Sequence, residues 1–403
     1  MNFVFISPQF PQTYFNFCSR LRGNGVNVLG IGDTPYDHLS QEVKDSLTEY
    51  YWLSTLEDYD KVYRAVAFFA FKYGRIDWLE SNNEYWLEQD ARLRTDFHIT
   101  TGVQADEISR FKSKAQMKRW YQKANIPTAR QHRVSDLASA REFIALTGYP
   151  VIVKPEIGVG ALDTYKLESD ADLEWFYGNL PEAPYVMEEF IVGDITSYDA
   201  IIDSRGEPLF ESMTCWPPSI MDIVNRKLDL SYYVAADMPD ALREMGRAAV
   251  KAFDVKSRFV HMEFFRLTQA RPGLGDVGDF VALEVNMRPA GGYTPDMMDY
   301  AHSLDVSQIW ADMVTYDERR FPESEVHQFC AYAGRRDCYE YVHSHEEIME
   351  RYGDQIVTCE RMPELMWDQM GNQNYTALLP DQKSAEEFIE FVQAYKPGSG
   401  PEK

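Results

Sequence analysis

The sequence predicts an α/β region followed by an α+β region, in a chain that is too long for one ordinary core. Strand and helix signals alternate over the first hundred or so residues, and this alternation is typical of a parallel sheet covered on both faces. Near Ser113 the pattern changes to helices followed by hairpin-like strands. The length of 403 residues predicts roughly two to four domains or subdomains.

The N-terminal region alternates short apolar runs with helical patterns. We expect strands at Phe3–Ile6, Val26–Ile31 and Ile76–Leu79, and helices at Tyr14–Leu21 and Leu56–Phe71. Ligands of parallel sheets bind beyond the carboxyl ends of the strands. Ser7 and Glu84 lie there and are candidate substrate-side residues, although ordinary polar loop positions explain them equally well.

The region after Ser113 is predicted to contain helices, strands and a C-terminal mixture of both. The helices are expected at Lys114–Ala124 and Leu137–Leu146. Strands are expected at Val151–Val153, Phe259–Arg266 and Phe280–Val285, and also at Tyr185–Met187 and Ser197–Ile202, which lie around a turn at Gly193-Asp194. A further strand–helix mixture starts near Val326 and ends in a frayed polar tail.

The charge balance limits the partners of the chain. With 40 basic and 64 acidic residues the formal net charge is −24, and the sequence pI is about 4.7. Such a surface repels phosphate backbones and anionic lipids, so we expect neither nucleic-acid nor membrane partners. An anionic substrate would therefore need local cations, a metal ion or backbone N–H groups.

The cysteines and the start of the chain indicate a soluble, cytoplasmic protein. The five cysteines are scattered and lack CxxC spacing, so reduced thiols are expected rather than a disulfide framework or a zinc site. The start, MNFVFISPQF, lacks the basic residues and long apolar run of a signal peptide. No apolar run approaches the roughly 18 residues that a membrane span needs.

The segment from Val281 to Gly292 carries the strongest chemical signal. In an extended strand, side chains alternate between faces, so Glu284, Asn286 and Arg288 share one face. Carboxylate and amide oxygens are hard ligands suited to Mg²⁺, and the arginine supplies a forked donor for phosphate or carboxylate oxygens. The alternative is an amphipathic strand whose polar face is solvated.

The preceding strand strengthens this interpretation. Glu263 lies among apolar neighbours, and the two strands are predicted to form a hairpin. Cross-strand neighbours approach to roughly 5 Å, which is close enough for Glu263 and Glu284 to share a cation. Two carboxylates at that distance repel each other unless a metal ion or a proton neutralises them. The alternative is a glutamate on the solvent face.

Two further segments suit a phosphate-bearing ligand, although each is weak alone. Lys154 ends a buried strand and precedes a glycine-containing loop, where a lysine and backbone N–H groups can bind phosphate oxygens. The strand from Tyr185 to Ile191 offers backbone groups to an adenine edge, and an edge strand leading into a turn is the alternative. The Gly273–Gly278 segment fits GxGxxG, but it precedes a strand instead of a helix, so we interpret it as a hairpin excursion.

Taken in order, these segments resemble the ATP-grasp superfamily over about residues 1–320. The resemblance rests on Lys114 opening a helix before an Ile-Pro-Thr step, Lys154-Pro155 with its glycine loop, Glu188-Glu189-Phe190-Ile191, Glu263, and Glu284-Val-Asn-Met-Arg288. It implies a Rossmann-like pre-ATP-grasp domain over residues 1–112 and an ATP-grasp domain over 113–320, split near 190. A small C-terminal α+β region would cover 321–403.

The resemblance also implies roles for individual residues. ATP phosphates would be held by Lys114 and Lys154 under a flap containing Gly158 and Gly160, and adenine by the backbone near Glu188, Glu189 and Ile191. Two Mg²⁺ ions, replaceable by Mn²⁺, would be bound by Glu263, Glu284 and Asn286. Arg288 would be catalytic, steadying the transferred phosphoryl group or the acyl phosphate.

This chain departs from the family pattern at two places. Val159, Ala161 and Asp163 stand where relatives carry flap hydroxyls and a further glycine, so fewer side-chain donors would reach the phosphates. Ile195 replaces a glutamate that often holds the ribose, and Asp194 is a candidate substitute. Neither departure removes a predicted metal or phosphate ligand.

The function implied is an ATP-dependent ligase that activates a carboxylate as an acyl phosphate for attack by an amine. Both substrates would be small metabolites, an amino acid among them, and a homodimer is considered. The alternatives are a bicarbonate-using carboxylase or carbamoyl-type enzyme, and a protein that binds Mg·ATP without catalysis. Candidates for the substrate pocket are Glu84, Arg226 and the loop from Cys215 to Pro218.

Overall fold

The computed structural model describes residues 1–158, 163–216, 228–322 and 324–401, and the strands in that part of the chain form three sheets. None of the helices described there is both long and apolar enough to cross a membrane. The α-helices are Phe15–Gly23, Gln41–Ser46, Tyr59–Tyr73, Leu87–Asp96, Ser109–Lys112, Lys114–Lys123, Leu137–Thr147, Asp170–Gly178, Asp240–Ala252, Thr294–His302, Val306–Tyr316, His345–Tyr352, Trp367–Met370 and Gln382–Val392, and the 3₁₀ helices are Tyr36–His38 and Glu364–Met366.

The first sheet is parallel and belongs to the N-terminal region. Its strands are β1 (Asn2–Ile6), β2 (Asn27–Gly32), β3 (Glu49–Trp52) and β4 (Trp78–Glu80), in the order β3-β2-β1-β4. Apolar residues of β1 alternate between two cores, with Phe3 and Phe5 in one and Val4 and Ile6 in the other. This sheet, buried on both faces, confirms the predicted α/β character of the region.

The second sheet is antiparallel and small. Its strands are β5 (Gln131–Arg133), β6 (Val151–Pro155), β7 (Tyr165–Leu167) and β8 (Tyr185–Glu189), in the order β5-β8-β6-β7. The helices Leu137–Thr147 and Asp170–Gly178 share an apolar core with it. The chain leaves this sheet at Glu189 and enters the third sheet at Gly193.

The third sheet is antiparallel and includes the C-terminal strands. In the described part of the chain it consists of β9 (Gly193–Ile202), β10 (Pro208–Trp216), β11 (Ser231–Val234), β12 (Arg258–Leu267), β13 (Phe280–Asn286), β14 (Phe329–Arg335), β15 (Ile356–Arg361) and β16 (Gln373–Leu379). The order is β13-β12-β9-β10-β11-β14-β16-β15. The strands after residue 320 therefore continue the sheet that carries β12 and β13.

The N-terminal region is joined to the third sheet through a mixed apolar and ionic contact. Trp310, on the helix Val306–Tyr316, packs against Phe3 at 5.6 Å and Phe17 at 5.1 Å between ring centroids. The carboxylate of Glu80, at the end of β4, lies 2.6 Å from Arg258 at the start of β12. The Arg258 guanidinium also donates to a backbone carbonyl just after β13, so β4 is tied to the β12–β13 hairpin.

Two sequence interpretations near β12 are tested by the strand pairing. The Gly273–Gly278 segment lies between β12 and β13, as predicted for a hairpin excursion. The predicted turn at Gly193-Asp194 is wrong, because β9 begins at Gly193. A Cβ at Gly193 would lie 2.5 Å from the Arg266 carbonyl oxygen, so the glycine permits close approach of β12 and does not serve a turn.

Candidate active site

The β12–β13 hairpin places the predicted metal ligands on one face of the third sheet. Glu263 is directly opposite Glu284, and His261 is opposite Asn286. The register shifts just after Glu263, where β13 carries one extra residue, as in a β-bulge. The predicted hairpin and the predicted juxtaposition of the two glutamates are therefore present in the structure.

Lys114 reaches this face from the start of the helix Lys114–Lys123. Its Nζ lies 3.2 Å from Glu284 Oε1 and donates to the Gly158 carbonyl oxygen at 3.4 Å. The Ser113 side chain caps the helix and also donates to Glu156 Oε1 at 2.7 Å. The cap thus fixes the helix start beside the loop that follows Lys154.

Lys154 lies at the end of β6 and is buried with Glu188 of β8. Its Nζ is 2.8 Å from Glu188 Oε2, while Lys118 Nζ is 3.2 Å from Oε1 and Gln131 donates to Oε1 at 2.8 Å. Burial alone would raise the pKa of the Glu188 carboxyl, but Lys118 and Lys154 outweigh it and lower the pKa to about 2. Glu188 is therefore an anion held by two cations.

The two lysines respond differently to the same partner. Burial dominates at Lys118 and lowers its pKa, although Glu188 opposes the change. Burial also acts on Lys154, but Glu188, Glu284 and Glu263 together raise its pKa. Lys154 thus lies in the more negative environment, on the side of the hairpin carboxylates.

Glu189 and Ile191 direct their side chains away from this cluster. Glu189 is bound by Arg130 at 2.7 Å and by Arg271 at 3.0 Å. The Ile191 side chain packs in a small apolar cluster with Leu267 and Val281. Only the backbone of these two positions is thus left for the adenine contacts that the resemblance implies.

The structure does not bring Asp194 to the cluster. Asp194 is exposed and pairs with Arg266 across the sheet, whereas Ser197 pairs with Glu263. Because side chains alternate along a strand, Asp194 lies on the face opposite Glu263. Of the predicted flap, Gly158 is placed beside Lys114, while Gly160 lies outside the described residues, as do Val159, Ala161 and Arg226.

Arg288 follows β13 and faces the N-terminal region. Its Nε lies 3.8 Å from Glu84 Oε2, and Lys112 Nζ lies 2.8 Å from Glu84 Oε1. Glu84 is buried in the segment after β4. This contact joins the candidate catalytic arginine to a candidate substrate-side residue, as expected for ligands bound beyond the strand ends.

A buried network lies behind Glu263. The His261 ring faces Asp199 Oδ1 at 2.7 Å through Nδ1 and Glu263 Oε1 at 3.2 Å through Nε2. Burial opposes protonation of the ring, but Asp199 and Glu263 raise the pKa of His261 to about 9. Burial raises the pKa of Glu263, but His261, Arg288 and Lys154 lower it overall, so the glutamate is an anion among cations.

The donor set fits a hard divalent ion bound together with phosphate. Glu263 and Glu284 supply carboxylate oxygens and Asn286 an amide oxygen, the kind of partial ligand set that Mg²⁺ completes with phosphate oxygens and water. Across the described residues, no group of three His, Cys, Asp or Glu side chains is arranged to hold a metal by itself. The set is thus suited to a metal that arrives with a nucleotide.

Sequence reasoning missed three residues of this site. Lys118 is one helical turn after Lys114, so the i, i+4 spacing could have placed it on the same helix face. His261 stands two residues before Glu263, and strand alternation could have placed both on one face. Asp199 carried no local signal, because its contact depends on the pairing of β9 with β12.

Comparisons with known proteins identify relatives by sequence and similar solved structures by fold. No family model matches the chain. The alanine–anticapsin ligase of Bacillus subtilis is 25% identical over 328 residues, which cover 72% of this chain and 65% of that ligase. The chain therefore spans slightly less than two thirds of the length of this curated relative.

Solved structures match over nearly the whole chain. The L-amino acid ligase from Bacillus licheniformis superposes with a TM-score of 0.72 and 16% identity, covering 97% of this chain and 96% of that one. The biotin carboxylase domain of the Hydrogenobacter thermophilus 2-oxoglutarate carboxylase, solved with MgADP and bicarbonate, gives a TM-score of 0.70 and 15% identity over 100% of this chain and 91% of that one.

The chain has the ATP-grasp fold. The resemblance to the ATP-grasp superfamily that the sequence motifs indicated is therefore confirmed. In this fold, one face of the β12–β13 hairpin carries Glu263, Glu284 and Asn286. Two lysines lie near these carboxylates, Lys114 and Lys154.

Proposed function

We propose that this ATP-grasp chain is an ADP-forming ligase that activates a carboxylate as an acyl phosphate and transfers the acyl group to an amine. Support comes first from Glu263 and Glu284, which oppose each other on paired strands with Lys114 3.2 Å from Glu284. Opposed carboxylates are stabilised by a cation between or beside them. Further support comes from relatives that are themselves named ligases.

The nucleotide would bind between the second sheet and the β12–β13 hairpin. Glu263, Glu284 and Asn286 would hold two Mg²⁺ ions, for which Mn²⁺ can substitute. Bound Mg²⁺ would neutralise the triphosphate oxygens and polarise the transferred phosphoryl group. Lys114 and Lys154 would contact the phosphates, and the backbone near Glu188, Glu189 and Ile191 would hold adenine.

The ion pair of Lys154 and Glu188 has a consequence for this binding. When Lys154 engages a phosphate, Glu188 Oε2 loses its partner at 2.8 Å. Lys118 and Gln131 still hold Oε1, so Glu188 is not left as an unpaired buried charge, which would be costly. Lys118 therefore keeps Glu188 paired when Lys154 moves to the nucleotide.

The chemistry proposed is two successive displacements. A substrate carboxylate oxygen attacks the γ-phosphorus, the bond to the bridging oxygen breaks, and ADP leaves. An amine nitrogen then attacks the acyl carbon, and phosphate leaves as the nitrogen loses a proton. Arg288 would steady the transferred phosphoryl group, because phosphoryl transfer depends on positioning and charge stabilisation.

We propose that both substrates are small metabolites and that at least one is an amino acid. The named relatives include an alanine–anticapsin ligase and an L-amino acid ligase. Glu84, held beside Arg288, lies where the N-terminal region meets the site. The homodimer and the cytoplasmic location remain predictions, and the mass of the protein in solution tests the first of them.

The test is ADP release by the purified protein with Mg·ATP and a panel of amino acids, followed by mass spectrometry of the products. We expect ADP and a new amide only when a carboxylate and an amine are both present. Glu284→Gln should lose most turnover, because it removes one charged metal ligand. The control is Glu142→Gln, an exposed glutamate on the helix Leu137–Thr147, which should retain turnover.

Two outcomes would replace this proposal. ADP formation that requires bicarbonate instead of a second organic substrate would indicate a carboxylating or carbamoyl-type enzyme. Binding of Mg·ATP without ADP formation for any pair, and with no effect of Arg288→Lys, would indicate a non-catalytic nucleotide-binding protein.

A further inference from the structure

The network behind Glu263 is built from two buried side chains on adjacent strands, Asp199 and His261. Asp199 of β9 is fully buried, and His261 is 4% exposed. The strand register places His261 opposite both Asp199 and Asn286. The imidazole therefore lies next to the candidate metal ligands, on the same face of the sheet.

The orientation of the imidazole is fixed, because each of its ring nitrogens has a hydrogen-bond partner. Both ring nitrogens face carboxylate oxygens, Nδ1 at 2.7 Å from Asp199 and Nε2 at 3.2 Å from Glu263. Asp199 in turn accepts hydrogen bonds from Ser197 and, at 3.1 Å, from Thr214. Trp216 packs against the ring in a T-shaped arrangement, with 5.4 Å between centroids.

We propose that His261, held by Asp199, is a positioning residue that fixes the carboxylate of Glu263 for cation binding. The hydrogen bond from Nε2 occupies Oε1 of Glu263 and leaves the second oxygen available to a cation. Hydrogen-bonded partners of metal ligands orient those ligands, and their removal weakens metal binding. This inference rests on the proposed Mg·ATP-binding function.

Whether removal of the imidazole weakens or strengthens metal binding distinguishes a positioning role from a purely electrostatic one. If the ring acted only as a positive charge near the cation, its removal would strengthen metal binding, because like charges repel. If the ring fixes the Glu263 rotamer, its removal weakens metal binding, because the ligand must then be ordered when the cation arrives.

The experiment measures the dissociation constant of Mn²⁺ by electron paramagnetic resonance of the free ion, with the full chain and saturating AMP-PNP. We expect His261→Leu to weaken Mn²⁺ binding by about 10- to 100-fold. Asp199→Asn keeps an oxygen acceptor for Nδ1 and should fall between the native protein and His261→Leu. In ADP formation, the same variants should raise the Mg²⁺ concentration at half-saturation.

The matched control is His302→Leu. His302 is also a buried histidine bonded to a strand side chain, Ser212 at 2.9 Å, but it does not contact Glu263. It should keep native Mn²⁺ affinity. If His261→Leu lowers the unfolding midpoint more than this control does, the Mn²⁺ affinities of His261→Gln and Asp199→Asn are compared with that of the native protein instead.

Three results would overturn the inference, and they can be told apart. If both the His261 and Asp199 variants bind Mn²⁺ with native affinity, the network does not position Glu263. The same conclusion follows if these variants bind Mn²⁺ more tightly than the native protein. A native protein that binds neither Mn·AMP-PNP nor AMP-PNP would refute the proposed function itself and the positioning role with it.

Discussion

At the scale of single residues, Glu188 shows how burial and charge compete. Its carboxylate is 4% exposed, and burial by itself would favour the protonated form. Lys118 at 3.2 Å and Lys154 at 2.8 Å reverse that preference. A buried ion pair of this kind is costly to break on one side, because the remaining charge is left unpaired in a low-dielectric environment.

Glu188 should make the stability of the protein depend on acid pH. Its pKa is about 2 in the folded chain, below the ordinary value of 4.5, so its contribution is present above about pH 4.5 and is lost as the pH falls toward 2. About 2 kcal/mol should be lost between pH 4.5 and 3, since each pKa unit corresponds to about 1.4 kcal/mol. Urea unfolding at several pH values measures the loss.

The comparison that isolates Glu188 uses Glu188→Gln beside Glu142→Gln. The Glu188 variant should lose less free energy of unfolding than the native protein over that pH range, because it has no carboxyl to protonate. The exposed Glu142 control should follow the native curve. Parallel curves for all three proteins would show that Glu188 does not carry this pH dependence.

At the scale of elements, the helix Asp240–Ala252 approaches the third sheet unusually closely. A Cβ at Gly246 would overlap the ring of Tyr198 in β9. The approach brings Arg243 to Glu211 at 2.9 Å, and Glu211 also accepts from the Tyr198 hydroxyl at 2.8 Å. Because Gly246 has no side chain, the helix can lie close enough to the sheet for Arg243 to pair with Glu211.

Gly246→Ala should therefore destabilise the protein, even though alanine favours a helix more than glycine does. Overpacking a filled contact costs about 1–3 kcal/mol, which exceeds the gain of about 1 kcal/mol in helix propensity. Chemical denaturation should show a lower midpoint. Gly178→Ala is the matched control, because nothing lies within 4 Å of a Cβ at that helix end, and it should be neutral or slightly stabilising. Equal midpoints for the two variants would contradict the steric explanation.

At the scale of the whole molecule, the C-terminal strands complete the sheet that carries the candidate site. β14 lies between β11 and β16, and Tyr332 of β14 stacks on Tyr232 of β11 at 5.0 Å between ring centroids. Phe388 and Val392, on the last helix, are fully buried. The region after residue 320 therefore shares its core with the preceding part of the chain.

A chain ending at residue 320 should not fold cooperatively. It would lose β14, β15, β16 and the last helix, and each large buried side chain removed is worth about 1.5–3 kcal/mol. A few such losses exceed the stability of about 5–15 kcal/mol that proteins typically have. Urea unfolding followed by circular dichroism tests this, with a chain ending at residue 396 as the control. A cooperative transition in the shorter chain would indicate an independent C-terminal unit.

Local patterns in the sequence determined the elements and the faces of the hairpin. The helix predicted at Lys114–Ala124 is present as Lys114–Lys123, and the strand predicted at Phe280–Val285 is present as Phe280–Asn286. The alternation along β13 also placed Glu284 and Asn286 on one face. These features depend on backbone geometry within a few residues, so sequence spacing is sufficient to predict them.

The tertiary structure decided which distant residues meet. The register of β9 against β12 brings Asp199 to His261 and places Asp194 on the opposite face from Glu263. The packing of the helix Lys114–Lys123 near β13 brings Lys118 to within 3.2 Å of Glu188 in β8. A one-residue change of register moves every side chain of a strand to the other face, so these contacts depend on long-range pairing that no local pattern encodes.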